Sequence, residues 1–253
     1  MIYDLQKASL LKRFSAYLLD LVVLVVLITG FAFLLSGILR FNTWSGQLSD
    51  CYEKYEAEYG VKLDITQTKY DAMTPEEQAV YDAAYGALND DPVAVKAYNM
   101  LISLTLMILS LSVLFSYLCL EFLIPIIFGN GQTIGKRIFG IGLIRSNGTR
   151  INKVSLLIRT LLGKFAIETM IPLLLVLMMF MGGIGLLGPT IVLGLLMIQM
   201  TMVLTSRQHK AIHDALAKTV AVDIASQMIF DTEEEAIAYH QRRHEEMVNN
   251  KPY

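Results

Sequence analysis

The sequence predicts an all-α fold: a polytopic membrane helical bundle of about four transmembrane helices, with N- and C-termini cytoplasmic and a helical extracytoplasmic loop. Three observations lead there. The composition, 54% hydrophobic with a mean hydropathy of +0.49, is too apolar for a soluble chain of 253 residues. Apolar stretches at 14–39, 98–128, 165–182 and 186–204 are each long enough to cross a hydrocarbon core of roughly 30 Å. Charge is segregated between the connections. Residues 41–97 hold eleven Asp/Glu against four Lys, whereas 129–164 hold seven Lys/Arg and no acid. By the positive-inside rule the basic segment is cytoplasmic and the acidic one outside.

Taken in order, the basic lead of Lys7, Lys12 and Arg13 is expected to stay inside, ahead of a first span carrying one charge, Asp20. A carboxylate in that setting needs a partner, a water-filled cavity or a function. Arg13 is two helical turns away on the same face and is the first candidate. The extracytoplasmic insertion 41–97 reads as a helical cap. A helix near 47–59 ends at Gly60, Thr74-Pro75-Glu76-Glu77 has the capping-box pattern, and Asp91-Pro92 starts a helix running into the second span. That span carries Ser103, Ser110, Tyr117 and Glu121 in one stripe, expected to face protein or water.

In the basic cytoplasmic loop 129–164, residues 138–144 form a short glycine-broken apolar run and 154–162 are read as an amphipathic helix at headgroup level. Lys136, Arg137, Arg145, Arg150, Lys153 and Lys164 are assigned to lipid headgroups. Gly131 to Lys136 does not have P-loop spacing, and no strand precedes it. The 40 residues from Phe165 to Leu204 are too long for one crossing and break at a glycine cluster, which gives spans three and four. Thr232-Glu233-Glu234-Glu235 is a second capping box. It opens an amphipathic helix in the cytoplasmic tail 221–253.

On this threading Asp20, Glu121 and Glu168 share the cytoplasmic third of their spans with Arg13, Arg159 and Asp214 nearby. Two readings stay open: a salt-bridge network that fixes helix orientation, or carboxylates that exchange a proton for a cation. His209/His213 and His240/His244 are spaced i, i+4, as in metal sites, but without a third ligand the first pair is a weak metal candidate and the second weaker. No cofactor motif is present, no nucleophile elbow marks an enzyme, and two separated cysteines exclude a disulfide framework.

Three motifs in order, Arg13-Phe14-Ser15-Ala16-Tyr17-Leu18-Leu19-Asp20, Gly131-Gln132-Thr133-Ile134-Gly135-Lys136-Arg137-Ile138-Phe139-Gly140-Ile141 and Ala211-Ile212-His213-Asp214-Ala215-Leu216-Ala217-Lys218-Thr219, resemble the RDD membrane proteins, a family named for an arginine and two aspartates. The resemblance covers 1–220 and implies that Arg13, Asp20 and Asp214 are the namesake residues, with Arg159 similar to another frequent family arginine. The long acidic loop and the terminal helix lie outside it. A multi-pass protein of the bacterial cytoplasmic membrane is therefore expected. It is a small transporter or cation/proton exchanger, or else a structural or partner-binding protein. Its partners are the lipid bilayer, further copies of itself and a protein at the outer loop, with no nucleic acid.

Overall fold

The computed structural model describes residues 6–249 except 181, 184, 186 and 207, and gives no side-chain account of 240, 244 and 246–249. His240, His244 and Arg207 therefore lie outside what is described. The helices are α1 (Leu10–Ile38), α2 (Phe41–Tyr59), α3 (Gln67–Asp71), α4 (Pro75–Asp90), α5 (Pro92–Phe128), α6 (Ile134–Ile138), α7 (Lys153–Phe180), α8 (Leu187–Thr205), α9 (Ile212–Leu216) and α10 (Glu233–Asn249). Strands β1 (Ile141–Arg145) and β2 (Thr219–Asp223) pair antiparallel, from Ile141 opposite Asp223 to Arg145 opposite Thr219. Four helices, α1, α5, α7 and α8, have the length and hydropathy to cross a membrane. Their exposed side chains, such as Val22, Val26, Phe33, Leu193 and Met197, are the ones acyl chains would solvate.

The chain divides into two compact units, residues 29–112 and residues 1–28 with 113–253. The first holds the acidic insertion, organised by local signals. Gly60 in a left-handed conformation (φ 69°) closes α2 and returns its N–H to Glu56 O. Thr74 accepts from Glu77 N at 3.3 Å while the Glu77 carboxylate accepts from Thr74 N at 2.8 Å, so both halves of the capping box form. Asp91 Oδ1 accepts from Val93 N at 2.8 Å and starts α5. Cys51, Tyr55, Leu63, Ala84 and Leu88 make the core between α2 and α4. Thr74→Ala is expected to cost about 1 kcal/mol of local helix stability. Hydrogen exchange in the full-length protein should show faster exchange in the first turn of α4 and unchanged exchange in α2.

Three expectations change. The fold is not helix-only, because 141–145 is a strand: Gly140 precedes it and Gly142 lies within it, and both faces of β1 are covered, with Ile141, Leu143 and Ile144 all buried. The N-terminal segment extends this sheet, with Ala8 N donating to Ala221 O at 3.3 Å and Asp223 N to Gln6 O at 3.0 Å. Residues 154–162 are not a separate surface helix. They are the first turns of α7, and its Arg159 and Lys164 pair with Glu121. On α5 the fully buried serines are Ser112 and Ser116, while Ser103 is exposed and returns its hydroxyl to Asn99 O at 2.9 Å, needing no partner from another helix.

Candidate functional site: a buried charge chain beside a cavity

The second unit gathers four acids and four cations into one connected chain. At one end Asp20, on α1, receives the Thr133 hydroxyl at 2.5 Å on Oδ2 and the Gly135 N–H at 2.8 Å on Oδ1. Both donors belong to the turn that opens α6, where Thr133 Oγ1 also accepts from Lys136 N at 3.4 Å. This contact needs glycine at 135, since a Cβ there would overlap the Ala16 carbonyl oxygen and stand 3.0 Å from Asp20 Oδ1.

Lys136 carries the chain onward. Its Nζ lies 3.3 Å from Thr133 Oγ1 and 3.3 Å from Glu121 Oε2. Burial pushes the Lys136 ammonium down to about 8, against the opposing pull of Glu121. Glu121, almost fully buried, also receives Arg159 Nη1 at 3.3 Å and is paired with Lys164. Three cations on one carboxylate explain how a glutamate is tolerated inside α5. It sits in a π-helical turn (Leu118–Leu123), and Arg159 and Lys164 lie in another (Arg159–Met170). The wider winding of these turns re-aims side chains in spans that sequence periodicity treats as α-helix.

Arg159 bridges to the second half of the chain. Its Nε donates to Asp214 Oδ1 at 3.1 Å, while Arg13 Nη2 reaches Asp214 Oδ2 at 3.3 Å and Thr219 Oγ1 donates to Oδ1 at 3.1 Å. Asp214 is fully buried. Burial alone would raise its carboxyl, but Arg159, His213 and Arg13 together hold it well below the usual carboxylate range. Arg13 also donates Nη1 to His209 O at 2.6 Å. It pairs with Asp214 and not with Asp20, for which the helical spacing had made it the first candidate.

His213 closes the chain. Its Nδ1 is 2.8 Å from both oxygens of Glu168, and its Nε2 is 3.6 Å from Asp214 Oδ2. Burial and Arg159 push the imidazole pKa down, against Asp214 and Glu168. Gly163 admits this arrangement: a Cβ on it would stand 2.6 Å from His213 Cα and closer still to His213 Cβ. His209 turns its Nδ1 to Val203 O at 2.8 Å, so the two imidazoles have separate partners. Among the described residues no group of three or more His, Cys, Asp or Glu is placed to hold a metal ion.

The headgroup assignment needs correction at two positions. Lys136 and Lys164 turn inward and pair with Glu121. The others stay outside the chain: Arg137 packs over the Phe128 ring at 4.3 Å, Arg150 pairs with Asp231 at 2.8 Å, Arg145 is half-buried and Lys153 is exposed. Thr133, Lys136, Lys164 and His213 are the members that sequence reasoning left out of the network. The signal was present for three of them: His213 adjoins Asp214 in the Ala211–Thr219 motif and Thr133 and Lys136 lie in the Gly131–Ile141 motif, whereas Lys164 lies in neither.

The chain forms one wall of a cavity of about 720 Å³. Arg13, Asp20, Lys136, Arg159, Lys164, Glu168 and His213 face it, with Tyr17, Tyr117 and Gln199, while α8 supplies an apolar wall from Val192 to Leu204. Tyr117 OH and Thr169 Oγ1 are 2.8 Å apart, tying α5 to α7 at the cavity edge.

The first span, the turn that opens α6 and the residues of α9 thus converge on one buried chain, and the RDD family profile matches residues 7–218, which contain all three. The chain belongs to the RDD family. It is therefore a membrane protein by family as well as by its four apolar helices. No curated protein and no solved structure gives a match. In RDD terms the arginine and the two aspartates are not one cluster: Arg13 and Asp214 pair directly, and among the described residues Asp20 connects to them through Thr133, Lys136, Glu121 and Arg159. The acidic insertion 41–97 lies inside the matched range, while α10 lies beyond it.

Proposed function

We propose that this RDD protein is a small transport protein of the bacterial cytoplasmic membrane, with both termini inside, the cavity of the charge-bearing unit as its cargo site, and His213 as the group that takes up and releases a coupling proton. The observation that carries the reading is a connected chain of four acids and four basic side chains, largely withdrawn from solvent, on one wall of a cavity large enough for a small molecule. Intramembrane charge is expensive, and where it persists beside a cavity a cargo or proton pathway is the default reading. A proton arriving at His213 Nε2 faces Asp214 Oδ2, while Nδ1–H already donates to Glu168. Cation/proton exchange on a bare carboxylate has less support, since each of the four acids already holds protein donors.

A second reading, a clamp that only fixes helix packing, is favoured by that same completeness of pairing. Access separates the two without knowledge of the cargo. In a background with Cys51 and Cys119 replaced, Gln199→Cys should react with a membrane-impermeant maleimide added to either face of sealed vesicles. His213→Gln should change the ratio of the two rates. Reaction from one face only would remove the transport reading and leave the clamp.

A further inference from the structure

We infer that the cavity takes an amphiphile with one acyl chain and an anionic head group that also carries a hydroxyl. The inference rests on the cavity being the cargo site and adds the class of molecule.

The charge of the head follows from which members of the chain face the cavity. Arg13, Lys136, Arg159 and Lys164 line it, against Asp20 and Glu168; the balancing acids, Glu121 and Asp214, are not among the lining residues. The cavity surface is therefore cationic although the chain as a whole is neutral when His213 is neutral. The two lining acids offer little to a cation. Both Asp20 oxygens are taken by Thr133 and Gly135, and both Glu168 oxygens face His213.

Donors are left over on the cationic side. An ammonium has three N–H groups, and Lys164 Nζ is matched to one acceptor, Glu121 Oε1. Arg13 has five, of which Nη1 and Nη2 each meet one acceptor, His209 O and Asp214 Oδ2. A phosphate or carboxylate supplies the missing acceptors through charge-assisted bonds.

The hydroxyl follows from Gln199. Its Oε1 is enclosed, lines the cavity side of α8, and has no hydrogen-bond donor among the described residues. An acceptor buried without a donor is costly, and a head group bearing O–H relieves it. The chain follows from the α8 wall, where Val192, Leu195, Leu196, Met200 and Val203 offer apolar surface around Gln199. A volume of about 720 Å³ lies within the roughly 300–1,000 Å³ of small-ligand sites and gives room for one chain with a compact head.

The test is equilibrium binding of radiolabelled 1-oleoyl lysophosphatidate to the full-length protein in a neutral maltoside detergent, with unlabelled competitors. Monooleoylglycerol lacks the charge, oleate lacks the hydroxyl, and glycerol 3-phosphate lacks the chain. Lysophosphatidate should compete best, with monooleoylglycerol and glycerol 3-phosphate each weaker by at least about tenfold, and oleate weaker by a few-fold. Lys164→Gln should weaken lysophosphatidate by about tenfold and leave monooleoylglycerol unchanged, while Lys164→Arg keeps binding. Gln199→Leu should abolish the preference over oleate. Competition by monooleoylglycerol equal to that of lysophosphatidate, best competition by glycerol 3-phosphate, or no binding at all would each overturn the inference. Selective binding with Gln199→Cys reachable from one face overturns transport but keeps this site; access from both faces without selectivity does the reverse.

Discussion

Asp214→Asn should destabilise the folded protein by about 3–5 kcal/mol, the cost of removing one partner from a buried ion pair while its cations stay buried. Asparagine keeps the shape and a hydrogen-bonding oxygen but leaves Arg13 and Arg159 facing one another without the carboxylate between them. Arg159 retains Glu121, which already answers to Lys136 and Lys164, so the displaced positive charge has nowhere to go. The measurement is the thermal midpoint of purified protein together with its steady-state abundance in membranes. Arg13→Met in the same chain should recover part of the loss, because it removes one of the two stranded cations. The pH profile gives a second signature. A carboxyl held below its unfolded value of 3.8 contributes stability present above that pH and lost as pH falls through the folded value, so Asp214 matters only in strong acid. His213 has its pKa lowered below 6.5, so its contribution is present above pH 6.5 and fades as pH falls below it. Asp214→Asn should remove the first phase of acid loss and keep the second. Equal midpoints for wild type and Asp214→Asn would show that the arginines do not depend on it.

What could be read from the sequence depended on how far apart the deciding residues lie. Apolar helices, caps and the helices of the acidic insertion rest on neighbours within one or two turns. Thr74 with Glu77 and Asp91 with Val93 accordingly form the contacts their spacing implies. The strand at 141–145 was hidden because its partner is 219–223, some 78 residues on, and because glycine interrupts the alternation that marks a half-buried strand. Lys136 and Lys164 were misplaced for a different reason. Counting charge along a loop assigns every lysine to the same surface, while the fold withdraws two of them to neutralise a single glutamate on another helix. Asp20, Glu121 and Glu168 are linked through cations, Asp214, His213 and a threonine hydroxyl and not as a shared site for one proton. The π-helical turns that aim Glu121 and Arg159 have no local sequence pattern at all.

Gly135→Ala is expected to be nearly as damaging, although it adds one methyl group in a helix where alanine is ordinarily preferred. The added Cβ would fall on the Ala16 carbonyl oxygen, a backbone atom in the second turn of α1, and crowd Asp20 Cγ and Oδ1 at 3.0 Å. A backbone carbonyl inside a helix cannot rotate aside, so α1 and the turn before α6 must separate. Separation breaks the 2.8 Å bond from Gly135 N to Asp20 and loosens the Thr133 hydroxyl bond beside it. Overpacking costs about 1–3 kcal/mol and the loss of hydrogen bonds to a buried carboxylate about as much again, so a total near 3 kcal/mol or more is expected. Two companions identify the cause. Ala16→Gly with Gly135→Ala should not restore stability, because the clash is with the carbonyl and not with the Ala16 methyl. Asp20→Ala with Gly135→Ala should cost less than the two single changes added together, since the bond that the methyl breaks is already gone. Full rescue by Ala16→Gly, or strict additivity with Asp20→Ala, would show that the close approach of α1 to the Gly135 turn is not what seats Asp20.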